Sequence, residues 1–109
     1  MLLIIRKKAD EDTLRNIAED LDGYVKVVVD IRRKILSAGG KLHVDGESML
    51  LRDGSKQVDL WGGGIDLETN EIDFDSMINL RPAQANPSRE VLDQVIRKDM
   101  ETIIRSLLQ

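Results

Sequence analysis

Within its first thirty residues the chain changes hydrophobic period twice, and that switch restricts the fold more than any single motif. Leu2–Arg6 begins as a continuous apolar run of strand length. Leu14, Ile17, Ala18 and Leu21 then recur at i, i+3, i+4 and i+7, the stripe of an amphipathic helix, and Tyr24–Asp30 is rich in β-branched valine. Asp10 offers an N-cap, Glu11 and Asp12 suit the first turn, and Gly23 is a C-terminal stop. Strand, helix and strand in this order predict a right-handed crossover with the two strands paired in parallel.

Further on, Arg32-Arg33-Lys34 reads as a turn that returns the chain through a strand at Ile35 and Leu36. Gly39-Gly40 would bend or bulge that strand before Leu42 and Val44 resume the alternation, and Asp45 would cap a short helix over 46–53 ended by Gly54. Val58–Leu67 and Glu71–Arg81 read as a hairpin turning at Glu68-Thr69-Asn70, with Gly62-Gly63-Gly64 as a bulge that shifts the phase of the first strand. Asp93 should cap a last helix whose Ile96, Met100, Ile103 and Leu107 form a core stripe or a dimer seam. The expectation is one α+β domain over 1–109. A mixed, mostly antiparallel sheet, with a strand–helix–strand start and two hairpins, packs against N- and C-terminal helices.

Composition narrows the function. The 109 residues suffice for one core and bury roughly two-thirds of the unfolded surface without a staple. With no cysteine, disulfides, thiolate metal sites and cysteine nucleophiles are excluded, and a cytoplasmic setting is expected. Met1–Ile5 is too short for a membrane span or a leader core, and its basic residues follow rather than precede it. A net charge of −4 opposes non-specific nucleic-acid binding. No cofactor and no metal is expected, since one histidine and scattered carboxylates make a poor zinc set and the acidic stretch lacks the EF-hand loop.

Three constellations could carry chemistry. Lys56, Gln57, Asn79, Arg81, Gln84, Asn86 and Arg89 would converge if the hairpin forms, with Trp61 as a wall, and such a set suits a phosphate or carboxylate. The competing reading is that Arg81 and the amides tie down the Pro82–Pro87 segment through its backbone. His43 and Asp45 would share a strand face, where a carboxylate can orient an imidazole as a base, although no nucleophile accompanies them. Between Gln57 and Leu80 six acids occur with no Lys or Arg, which reads as a solvated face that discourages edge pairing.

The words Gly39-Gly40, His43-x-Asp45, Gly54-Ser55-Lys56-Gln57, Leu60-Trp61-Gly62 and Asn79-x-Arg81-Pro82-x-Gln84-x-Asn86, with Arg89 after them, span nearly the whole chain. In these the sequence resembles a family of small prokaryotic proteins known as a domain of unknown function. It departs from the family pattern at Gly46, often Ala there, and at Gly63-Gly64, where Asn is frequent. The resemblance implies no activity. The leading expectation is therefore a binding domain for a small anionic ligand, or an anionic group of a partner, at the Arg/Lys/Asn/Gln set. One alternative is an enzyme acting on a phosphate- or carboxylate-bearing substrate there, with His43 or Asp45 as base. Another is an interaction subunit, dimeric in one version, that holds no ligand.

Overall fold

In a computed structural model describing residues 1–109, five strands form one sheet: β1 (Leu3–Ile5), β2 (Tyr24–Asp30), β3 (Ile35–Ala38), β4 (Leu60–Asp66) and β5 (Ile72–Asp73). Three helices accompany them, α1 (Glu11–Ala18), α2 (His43–Arg52) and α3 (Gln94–Leu108). The spatial order is β1-β3-β2-β4-β5 and every pair is antiparallel. The expected parallel pairing of the first two strands is therefore absent. β1 and β2 do run in the same direction, but the tight Arg32-Arg33-Lys34 turn lays β3 directly beside β2, and β1 docks on the far edge of β3. Closing a short hairpin costs less chain entropy than the longer crossover, which favours β3 on that edge.

The sheet is covered on both faces, which is why β2 reads as an almost unbroken apolar run. Val25, Val27 and Val29 join Leu36, Trp61 and Ile65 in the larger core, under Ile17 of α1 and Met100, Ile104 and Leu108 of α3. Val28 points the other way, to a smaller core with Ile35, Leu50 and Leu60 beneath α2. The α3 stripe is thus spent in the core. Asp93 accepts from the Val95 and Ile96 amides (2.8 and 3.3 Å) and Asp10 from that of Thr13 (2.8 Å), so both expected caps form.

Four expectations are corrected. Gly62-Gly63-Gly64 is not a bulge, because β4 pairs with β2 without interruption from Tyr24↔Asp66 to Asp30↔Leu60. Leu60 and Trp61 simply serve opposite faces of a sheet that has two cores. Leu42 and Val44 are not strand: α2 begins at His43, with Leu42 as an N-cap that provides no side-chain bond. Gly46 lies inside that helix because a Cβ there would sit 2.3 Å from Ser37 Oγ, so only glycine lets α2 settle this close to β3. Two residues apart on a helix, His43 and Asp45 point to different sides, and Asp45 is exposed. Finally, the second hairpin strand stops at Asp73. Phe74 turns to the larger core and Ile78 to the smaller one, while Asp75 bridges to Glu90 and Met77–Asn79 forms a 3-10 turn. No helix is long and apolar enough to cross a membrane.

Candidate functional site: a cleft beneath the start of helix α2

The polar set read from the sequence divides into three places. Asn79, Arg81, Asn86 and Trp61 are buried. Asn86 donates to the Asn79, Ser88 and Glu90 carbonyls and accepts from Leu92 N–H, closing the Pro82–Pro87 segment on itself. Arg81 donates to the Ile78, Gln57 and Leu60 carbonyls and to Gln84 Oε1, with its guanidinium 4.5 Å from the centre of the Trp61 ring. Gln84 reaches the Val58 carbonyl (3.2 Å). Lys56 is exposed in a shallow cleft with Arg32 and Arg33, while Arg89 borders a different and larger cleft.

That larger cleft, of about 430 Å³, opens between the start of α2, the first half of β2, the end of β5 and the segment after it. Its floor follows from the register. Lys26 pairs with Gly64 and Gly64 with Asp73, so the three lie in one row across the sheet. Tyr24, two residues before Lys26, leans over the middle of that row: a Cβ on Gly64 would lie 1.9 Å from the Tyr24 hydroxyl. The bare glycine lets that hydroxyl donate to Asp73 Oδ2 at 2.5 Å. Burial first, and then this bond to a carboxylate, push the Tyr24 pKa above its ordinary value, so it remains a neutral donor.

His43 is on the first turn of α2 in the same cleft. Its Nε2 lies 2.7 Å from the Gly63 carbonyl, which can only accept, so Nε2 carries the proton and Nδ1 holds the lone pair. Burial lowers the His43 pKa, with the Lys26 charge acting in the same direction and the Gly63 bond, Asp73 and Asp75 opposing.

The charges are unequally engaged. Asp75 pairs with Arg89 (3.2 Å) and Glu90 with Arg97 (3.8 Å), while Asp73 accepts from Tyr24 and the Asp75 amide. The Lys26 ammonium makes no ion pair and no hydrogen bond within the chain. Leu42, Val44 and Met77, each more than half exposed, add an apolar rim. Sequence reading missed Tyr24 and Lys26. The available signal was two polar residues alternating with valines in a run otherwise apolar on both faces.

A half-buried neutral imidazole makes stability depend on pH. In the unfolded chain His43 titrates near its ordinary 6.5 and in the fold lower, so between those values the unfolded state binds the extra proton. Stability contributed by the neutral ring is whole above 6.5 and is lost as pH falls towards the folded pKa. His43→Gln keeps a donor for Gly63 and removes the titration. In urea unfolding at pH 7.5 and pH 5, the parent should lose more stability than the variant. Equal losses would contradict the neutral ring.

An antiparallel five-stranded sheet between two helical layers, with a polar cleft at one helix start, defines a small α+β domain. A family model described as a protein of unknown function (DUF5674) matches residues 3–107, and the chain belongs to that family. No curated protein and no solved structure matches it.

Proposed function

We propose that the protein binds a small organic carboxylate in the His43–Tyr24 cleft, one that also carries an amine or amide N–H. The observation that supports this is the unpaired Lys26 ammonium facing Asp73 along one cross-strand row. The two backbones are two strand spacings apart, roughly 10 Å, a span suited to a bifunctional molecule of amino-acid size. A carboxylate would face Lys26, an N–H would face Asp73 beside the Tyr24 hydroxyl, and an apolar body would rest on Leu42, Val44 and Met77. The reading keeps a small anionic ligand but moves it away from Arg81, whose donors are spent on carbonyls.

A second reading, an enzyme acting on the same ligand class, draws on His43. A neutral imidazole with its tautomer held by Gly63 is poised to take a proton at Nδ1. Asp45 has no part in it, being exposed on another side of α2.

The single histidine and single tyrosine give clean NMR probes. L-leucine should shift both sets of ring signals, and 4-methylpentanoate or 3-methylbutylamine, each lacking one charged group, should bind more weakly. Lys26→Met should weaken the carboxylates about tenfold, the scale of one charge-assisted hydrogen bond. Ring signals unmoved by all three probes, or equal carboxylate binding by parent and variant, would sink the proposal.

A further inference from the structure

A second cleft, of about 190 Å³, is lined by Arg32, Arg33, Gly54, Lys56 and Asp59, with no hydrophobic residue among them. It lies where the β2–β3 turn faces the loop after α2, and a chain of buried polar contacts sets its shape. Asp30, fully buried at the end of β2, accepts the Arg32 and Arg33 amides (3.0 and 2.8 Å) and the Ser55 hydroxyl (2.7 Å). One carboxylate thus fixes the turn and ties it to the facing loop. Ser55 Oγ accepts from Arg33 Nη1, and Arg33 Nη2 meets Asp53 at 2.7 Å, so the Arg33 side chain is held in place with donors to spare.

The two remaining cations of the lining are exposed to solvent. The side chains of Arg32 and Lys56 make no ion pair and no hydrogen bond within the chain. Gly54, at φ +105°, has nothing within 4 Å of where a Cβ would be, so that wall is open backbone. Three cations meet one lining carboxylate, Asp59, on a protein whose net charge is −4. Arg33 is balanced by Asp53, but Arg32 and Lys56 add two like charges beside it without partners, and a bound anion would relieve their repulsion.

The geometry points to a phosphate site: the cleft takes the phosphate group of a small phosphate monoester, its oxygens met by Arg32, Arg33 and Lys56. A phosphate carries more charge than a carboxylate and presents three oxygens, which suits three cations from two chain segments. The volume, about 190 Å³, admits that group with room for the first carbons of its ester. A nucleic-acid backbone would need a longer row of cations than one turn and one lysine provide. The site shares no residue with the His43–Tyr24 cleft, so the two readings succeed or fail separately.

Inorganic phosphate and glycerol 3-phosphate are titrated separately, followed by the backbone amide signals of Arg32, Arg33, Gly54 and Lys56. The parent is compared with the double variant Arg32→Gln, Lys56→Gln. Both probes should move these signals, the ester binding more tightly, and the double variant should bind either at least about tenfold more weakly. Its urea midpoint should match the parent, since neither side chain has a partner to lose, and its L-leucine response should be unchanged. If sulfate at equal ionic strength gives the same shifts, the site holds an adventitious ion only and the proposal fails. It fails equally if the double variant binds as the parent does, or if a single-stranded oligonucleotide binds there more tightly than the ester.

Discussion

Asn79→Ala should lower the free energy of unfolding by about 4 kcal/mol, because it strips the outer edge of β4 of its partner. Gly62 is paired with Val28 on one side, but β5 has ended at Asp73 and brings no strand to the other. The Asn79 side-chain amide stands in for one: Oδ1 accepts Gly62 N–H at 2.8 Å and Nδ2 donates to the Gly62 carbonyl at 2.9 Å. The same Nδ2 lies within 3.2 Å of the Phe74 carbonyl and 3.0 Å of that of Arg89. Asn79 is fully buried, so alanine would leave the Gly62 N–H and carbonyl without water or partner, each costing about 1–3 kcal/mol, while the Phe74 and Arg89 carbonyls keep the Val91 and Ser76 amides. A typical domain holds only about 5–15 kcal/mol in all. Urea unfolding decides it, and a loss below about 1 kcal/mol would mean that the segment after β5 is held some other way.

Arg81→Ala should cost about 3 kcal/mol, while Lys56→Ala and Arg89→Ala stay within about 0.5 kcal/mol of the parent. Arg81 is the only member of the three that is buried, and its donors go to carbonyls of two separate segments, at Ile78 and at Gln57 and Leu60. Burial pulls its pKa down from the ordinary value and the Glu47 charge opposes that, so the fork does its work in a partly dry place, stacked on Trp61. Arg81→Lys should recover little, since an ammonium cannot reproduce a planar fork reaching three carbonyls. Arg89 is exposed and Asp75 about half-exposed, and a pair of that kind contributes little. If all three alanine variants behaved alike in urea, Arg81 would have no special structural role.

These two residues show how far the sequence could be read. The Asn-x-Arg-Pro-x-Gln-x-Asn word was visible as a polar constellation, and a tie for the Pro82–Pro87 segment was one of its two readings. Which reading holds depends on where each donor ends. Asn79 serves Gly62, seventeen residues away, and Arg81 serves Leu60, twenty-one away, distances that no local pattern records. The split of Lys56 from Arg89 has the same origin. The expected long hairpin strand would have brought them together, but after β5 the chain folds back through Asp75↔Glu90 instead.

Local chemistry alone was sufficient for β2, α3 and the start of α1, although α1 ends at Ala18, short of the Leu21 and Gly23 that its stripe and stop implied. Each is specified by its own period and, in the helices, by an aspartate that bonds amides two or three residues ahead. The β2–β3 hairpin is likewise a matter of one short turn. Three things were settled only by packing. β1 lies beside β3 because β3 and β4 occupy both edges of β2. Residues 43 and 44 join a helix rather than a strand because the smaller core needs Leu50 over Val28, Ile35 and Leu60. The cleft exists because the β2–β4–β5 register sets Lys26, Gly64 and Asp73 in a row, with Tyr24 over the glycine. Period and capping act over a few neighbouring residues and are written into the chain. Register, and the choice of which face each residue serves, emerge only when distant segments compete for the same edge and the same volume.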